Sequence, residues 1–158
     1  MILSIISDFN VSYLKEILPL FLIDKLIEAE VVEADFGTLS FKIRNPNDSF
    51  WNTEADILIC IPSFRELSFD YSFKNMQDNQ RKVNIRNDAE IFLNFWKKYN
   101  KPIIHFLFDL PPVPFLSYQD STQIGGHTQY INEVNSFLVN NTPNNVNLVD
   151  IEHLRKNI

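Results

Sequence analysis

The residues best suited to chemistry stand near the two ends of the chain. Toward the end, Asp150-Ile151-Glu152-His153 places a carboxylate three residues before an imidazole. On one helical turn, a carboxylate at this spacing can hold one ring nitrogen of the histidine. The other nitrogen can then act as a general base on a hydroxyl nucleophile. Near the start, Ser7 supplies a hydroxyl and Asp8 a second carboxylate. The two segments predict a hydroxyl nucleophile activated by a histidine general base if the fold brings them together.

The first ten residues predict how Ser7 and Asp8 are positioned. An apolar run over residues 2–6 stops at Ser7-Asp8-Phe9-Asn10, and apolar residues then recur at helical spacing over residues 11–30. A buried strand, a polar turn and a helix in this order are typical of a central parallel strand in an α/β sheet. Pro19 interrupts the helical pattern, so we expect a kink there or a helix that restarts. Asn10 or Ser12 is expected to cap the helix.

The rest of the chain repeats the alternation of strand and helix. Further strands are predicted over residues 30–36, 57–61, 103–108 and 146–149, and further helices over residues 86–99 and 128–139. This order predicts right-handed crossovers and a mainly parallel sheet of about five strands. We therefore expect an α/β fold, a three-layer αβα sandwich of the flavodoxin-like or SGNH-like kind, forming a single domain over residues 1–158. The carboxyl ends of its strands are where ligands bind in such sheets.

Three local predictions concern residues outside this pattern. The polar segment 74–82 is expected to be an exposed loop, and Gly37 is expected to supply the turn after the second strand. His105 lies mid-strand and is expected to be a hydrogen-bonded core residue. Cys60 lies within an apolar run and is expected to be a small core residue.

Composition excludes several classes of function. A net charge of −6 with no basic cluster argues against nucleic acid as a partner. The sequence has no apolar run of membrane-spanning length, and its three glycines exclude a Gly-rich dinucleotide or phosphate loop. One cysteine fits a reducing, cytoplasmic setting. Three histidines without matching carboxylate spacing predict no metal site, and we expect no cofactor.

Several short segments together resemble the SGNH/GDSL hydrolases, and more specifically the N-terminal domain of the FkbH-like proteins, in which it precedes a HAD-type phosphatase-like domain. The matching segments cover nearly the whole chain in the order of that family. They are Ile5-Ile6-Ser7-Asp8-Phe9-Asn10-Val11, Ala34-Asp35-Phe36-Gly37, Ala55-Asp56-Ile57-Leu58-Ile59, Lys101-Pro102-Ile103-Ile104, Ile131-Asn132-Glu133-Val134-Asn135 and Asn147-Leu148-Val149-Asp150.

The resemblance assigns roles residue by residue. Ser7 falls where the family has glycine, Asp8 falls on its aspartate, and Phe9 falls on its nucleophilic serine. Gly37 matches a position that supplies an oxyanion-hole N–H, whereas the asparagine of the third family motif is absent from Ile61-Pro62-Ser63-Phe64. Asp150 and His153 match the remaining triad members. The resemblance thus implies candidate catalytic residues Ser7, Asp8, Asp150 and His153, and candidate substrate-binding residues Phe9, Asn10, Gly37 and Ser63.

Three functions follow as hypotheses. The first is a degenerate, non-hydrolytic SGNH-like domain, because a phenyl ring has no nucleophilic atom. The resemblance implies that it would act in acyl or glyceryl unit handling, in a biosynthetic setting, with a HAD domain and an acyl carrier protein as partners. The alternative is an active SGNH-type esterase or acyltransferase using Ser7 with Asp150 and His153. A generic flavodoxin-like binding or response module is the third.

Overall fold

A computed structural model describes residues 1–35, 37–45, 47–52, 54–69, 78–112, 121 and 126–155 of the chain. Its strands are β1 (Ile2–Ser7), β2 (Glu30–Glu33), β3 (Ile57–Ile61), β4 (Ile103–Phe106) and β5 (Val146–Val149). Its helices are α1 (Ser12–Ile23), α2 (Leu39–Arg44), α3 (Asp78–Lys98), α4 (His127–Asn140) and α5 (Ile151–Arg155). None of these described helices is both long enough and apolar enough to cross a membrane.

The five strands form one parallel sheet in the order β2-β1-β3-β4-β5. This is the flavodoxin-like strand order, and it confirms the predicted α/β fold with a parallel sheet. β1 pairs with β2 on one side and with β3 on the other. Within β1, the consecutive residues Ile5 and Ile6 point to opposite faces of the sheet. Both are fully buried because helices cover each face.

Side-chain alternation divides the core into two layers, one on each face of the sheet. On one face, Leu3, Ile5, Ile59 and Ile61 pack against the inner side of α1. On the other face, Ile6, Leu58 and Cys60 pack against α2, α3 and α4. Cys60 is buried as predicted, and burial together with the negative charge of Asp8 raises the pKa of its thiol, so it is not poised as a nucleophile.

Helix α1 is shorter than its apolar pattern predicts. It passes Pro19 without breaking and ends at Ile23, although helical spacing continues to residue 30. The end is a Schellman-type turn, in which the N–H of Ile27 donates to the oxygen of Leu22 (2.9 Å) and the N–H of Leu26 donates to that of Ile23 (2.8 Å). This turn leads into β2, whose first N–H, from Glu30, bonds to the oxygen of Met1.

The prediction of an exposed loop over residues 74–82 is wrong where the structure describes that segment. Helix α3 begins at Asp78, and Arg81 on its second turn is only 2% exposed. Its guanidinium makes two 3.0 Å hydrogen bonds to the carboxylate of Glu133 on α4. Arg81 can be buried within this polar segment because its ion-pair partner, Glu133, lies 52 residues later in the sequence, on α4. The short helix α2 was also not evident from its sequence.

His105 lies in the core, but not as a hydrogen-bonded residue. Its ring contacts the edges of Phe92 and Trp96, with centroids 5.3 and 4.9 Å away. Neither ring nitrogen has a hydrogen-bond partner among the residues that the structure describes. The expectation of a hydrogen bond was therefore wrong, because the facing surface of α3 offers aromatic rings instead of polar groups. Burial lowers the pKa of His105 to about 3.

Candidate functional site

The parallel sheet brings the predicted site residues to one edge, where all five strands end. Within this edge, hydrogen bonds tie together the ends of β1, β3 and β4. Asp8 Oδ2 accepts from the hydroxyl of Ser63 (2.7 Å) and from its backbone N–H (3.2 Å). Asp109 Oδ1 accepts from the N–H of Phe64 (3.0 Å). Of the predicted residues, Asp8 and Ser63 are therefore brought into direct contact.

The edge of the sheet at which the strands end carries several acidic side chains. Burial raises the pKa of Asp109, and the negative charges of Asp8 and Glu152 raise it further. Burial likewise raises the pKa of Glu66, to which the charge of Asp8 adds. Asp8 Oδ1 is buried without a hydrogen-bond partner among the described residues. Such an edge is poorly suited to an anionic tetrahedral intermediate, which needs donors and positive charge around it.

The β1–α1 corner carries Phe9 and Asn10. The Phe9 ring is 42% exposed, and its backbone N–H donates to Ser7 Oγ (3.2 Å). Asn10 Oδ1 accepts from the N–H of Ser12 (2.9 Å), the first residue of α1. The expectation that Asn10 or Ser12 is the N-cap was wrong, because Val11 occupies that position and makes no side-chain capping bond. At the corner itself, an aromatic ring thus occupies the position at which the resemblance expects a nucleophile.

Ser7 is enclosed on the α1 side of the sheet. It has the same parity along β1 as Leu3 and Ile5, which pack toward α1. Its side chain is buried and borders a cavity of about 50 Å³ with Phe9, Val11 and Glu33 among the other lining residues. The cavity is small and opens toward the exposed residues Phe9 and Asn10.

Asp150 and His153 follow β5, and their spacing has a structural role. Asp150 Oδ1 accepts from the backbone N–H of His153 (3.0 Å), which is an N-cap interaction at the start of α5. Both side chains are exposed. Because β3 and β4 lie between β1 and β5, three strand spacings separate the ends of β1 and β5, roughly 14 Å. The pair and Ser7 therefore lie at the same edge of the sheet, at the ends of strands that are not neighbours.

Gly37 lies in the turn after β2, as predicted. Its φ of +71° is a left-handed conformation that glycine adopts at no steric cost. It is exposed, and Phe36 before it lies outside the described residues. Gly37 thus stands on the β2 side of β1, on the opposite side from Asp8's partner Ser63.

A larger concavity lies at the other end of the edge, and the sequence predictions missed it. It has a volume of about 510 Å³ and lies between α4 and the ends of β4 and β5. Asn132, Ser136 and Asn140 line one wall at four-residue spacing, and Asp150 and Glu152 lie opposite them. We call this concavity the α4 cleft. The small polar residues that recur on one face of the predicted helix are the signal that could have identified it.

The described acidic side chains at this edge are not arranged to bind a metal ion. Within the ranges that the structure describes, no three His, Cys, Asp or Glu side chains are grouped so that they could hold a metal ion. The hydrogen-bonding groups of the site are therefore amides, hydroxyls and carboxylates.

Comparison with known proteins supports the fold. The chain matches the crystal structure of the N-terminal part of the protein BF1531 from Bacteroides fragilis, which contains a phosphatase domain and is complexed with Mg. The TM-score is 0.78 at 15% sequence identity, over 98% of this chain, which spans 41% of that one. No family model and no curated protein sequence matches the chain. The likeness at this identity establishes a shared α/β architecture.

Proposed function

We propose that this chain is a non-hydrolytic SGNH-like α/β domain of an FkbH-like protein. In this role it holds an acyl or glyceryl unit, presented by an acyl carrier protein, beside a HAD-type phosphatase-like domain. The observation that carries the proposal is the β1–α1 corner, where Phe9 occupies the position expected for the nucleophile and the neighbouring Ser7 is buried beside a 50 Å³ cavity.

The geometry of the remaining residues argues against a working triad. A general base must come within about 3 Å of the hydroxyl that it deprotonates. Ser7 is buried, and Asp150 Oδ1 is engaged in capping α5, where it accepts from the backbone N–H of His153. Loss of a nucleophile and of an oxyanion donor each removes several kcal/mol of transition-state stabilisation. These features favour binding over ester hydrolysis.

The multidomain setting rests on the structural neighbour and on the sequence resemblance. The crystallised N-terminal part of BF1531 contains a phosphatase domain, and this chain corresponds to 41% of its length. The resemblance of the segments around Asp8, Gly37 and Asp150 points to the same family. A phosphatase-type domain and an acyl carrier protein are therefore the partners that we propose.

The α4 cleft is the surface that best fits the proposed acyl or glyceryl unit. Its volume lies in the range of small-molecule sites, about 300–1,000 Å³. The side-chain amides of Asn132 and Asn140 each offer a donor and an acceptor, which suits the hydroxyl groups of a glyceryl unit. Leu107 and Leu110 supply an apolar wall for the carbon chain.

Two measurements test the proposal. First, the wild-type protein should not hydrolyse a p-nitrophenyl acyl ester above background. Turnover that disappears in the His153→Ala variant would instead establish the esterase. Second, a glyceryl-loaded acyl carrier protein should bind the wild type and bind the Asn132→Leu/Asn140→Leu variant more weakly. Asn94→Leu, a change of the same type on the exposed surface of α3, is the matched control and should bind as the wild type does. If the wild type and both variants bind the glyceryl-loaded carrier protein equally, the α4 cleft is not the binding site.

A further inference from the structure

The α4 cleft presents different chemistry on its two walls. Asp150 and Glu152 stand on the wall at the ends of the strands, whereas α4 contributes the side-chain amides of Asn132 and Asn140. None of the described residues that line the cleft is a lysine or an arginine. The two carboxylates therefore give one wall a negative charge that no cation in the described lining offsets.

A third carboxylate lies close to the charged wall. Asp109 directly precedes Leu110, which lines the cleft. Burial raises the pKa of Asp109, and neighbouring negative charges, among them that of Glu152, raise it further. Such an effect requires the two carboxyl groups to lie near each other. The acidic end of the cleft is therefore built from more than one part of the fold, namely the segments that follow β4 and β5.

The polar groups on and around this wall are mostly hydrogen-bond acceptors. Asp150 Oδ1 accepts from the backbone N–H of His153, and the other carboxylate oxygen of Asp150 has no partner among the described residues. Ser136 donates its hydroxyl proton to the backbone oxygen of Asn132 (2.7 Å), so the Ser136 oxygen can only accept from a ligand. A ligand that fits this set of groups must supply donors. The hydroxyl groups of a glyceryl unit do so, whereas an ionised phosphate presents acceptor oxygens.

The donors on the opposite wall are neutral amides, and the wall itself is fixed. Neither Asn132 nor Asn140 makes a side-chain hydrogen bond to another described residue, and both are exposed. Between them on α4, the amide of Asn135 donates to the oxygen of Phe108 (2.9 Å) and accepts from its N–H (3.0 Å). This pair of bonds holds the chain after β4 against α4, so the cleft is formed before a ligand binds. Its donors are thus positioned for hydroxyl groups but carry no full positive charge.

We propose that the α4 cleft binds the glyceryl or acyl unit in its uncharged form and excludes the same unit when it carries a phosphate group. This inference rests on the proposed function, in which the α4 cleft holds such a unit. A phosphate monoester carries a charge of about −1.5 to −2 at pH 7. Repulsion by the two carboxylates should weaken its binding at least about tenfold, even with the dielectric constant of water between the groups.

Two forms of one acyl carrier protein test this proposal, one loaded with a glyceryl unit and one loaded with a phosphoglyceryl unit. The two forms are otherwise identical, so the ratio of their Kd values measures only the effect of the added phosphate. We expect the wild type to bind the phosphorylated form at least about tenfold more weakly at low salt. This ratio should fall as the salt concentration rises, because salt screens charges in an open cleft.

Asp150→Asn/Glu152→Gln removes the two carboxylates that line the cleft. Asparagine is as good a helix N-cap as aspartate, so α5 should still form. For this variant we expect the two Kd values to agree within about threefold. The matched control is Glu16→Gln/Glu28→Gln, which changes the net charge equally at two exposed positions on the α1 side of the sheet. The control should discriminate between the two forms as the wild type does.

The outcomes separate this inference from the proposed function. If the wild type binds the two forms equally, or binds the phosphorylated form more tightly, the proposed function stands and the exclusion of phosphate is refuted. The exclusion is also refuted if the Asp150→Asn/Glu152→Gln variant keeps the full discrimination or if the control variant loses it. A wild type that binds neither form would refute the proposed function and this inference with it.

Discussion

Replacing His105 with leucine should stabilise the protein and reduce its sensitivity to acid. His105 is fully buried against aromatic side chains of α3, and within the described part of the chain neither of its ring nitrogens has a hydrogen-bond partner. Leucine has a similar volume and no polar atom to satisfy. At neutral pH, removal of these unsatisfied polar atoms should raise the free energy of unfolding by about 1–3 kcal/mol.

The pH dependence follows from the pKa of His105. Burial lowers this pKa in the folded state to about 3, from an ordinary value of 6.5. As the pH falls below 6.5, the unfolded chain takes up a proton at this position while the folded protein does not. The stability present above pH 6.5 is therefore lost progressively as the pH falls toward 3. At 1.36 kcal/mol per pKa unit, His105 costs the wild type about 2 kcal/mol at pH 5 relative to neutral pH. The leucine variant lacks this loss.

Urea unfolding of both proteins at pH 7 and pH 5 measures the effect. Other titrating groups act on both proteins alike, so the quantity of interest is the difference between their pH-dependent losses. Phe92→Leu, a change in the same core that removes no titratable group, is the control and should lose as much stability between pH 7 and pH 5 as the wild type does. The reasoning is refuted if the His105→Leu protein loses as much stability between pH 7 and pH 5 as the wild type. It is also refuted if NMR shows His105 titrating near pH 6.5.

Three further changes test the buried polar contacts. Glu133→Ala should lower the free energy of unfolding by about 2–3 kcal/mol in urea unfolding, because it leaves the buried guanidinium of Arg81 without its carboxylate; a loss below about 1 kcal/mol would contradict this. Asp109→Asn should raise the melting temperature at pH 7. The pKa of Asp109 is raised by burial and by neighbouring charges, so its ionisation costs stability as the pH rises through that pKa; an unchanged pH profile in scanning calorimetry would count against it. Ser63→Ala should destabilise by about 1–2 kcal/mol in thermal unfolding, because Asp8 keeps only the longer backbone bond, and Ser12→Ala on the exposed start of α1 serves as a smaller control.

The local sequence predicted the strands that are covered on both faces of the sheet. The bounds of β3 and β5 agree with the apolar runs at 57–61 and 146–149. Buried parallel strands need aliphatic residues on both faces, and that requirement is visible in a few consecutive residues. The alternation of such runs with helical periodicity also sufficed to predict a parallel α/β sheet. The position of Asp8, Ser63 and Asp109 at one edge followed from that architecture.

Only the tertiary structure decided which of these residues meet. The strand order puts β3 beside β1, so Asp8 at the end of β1 reaches Ser63 at the end of β3. Arg81 is buried because Glu133 reaches it from another helix, although its own neighbours in sequence are polar. Residue types and short periods determine which segments become strands and helices. Lateral neighbours in a sheet and partners across helices depend on the path of the whole chain, and no local pattern carries that information.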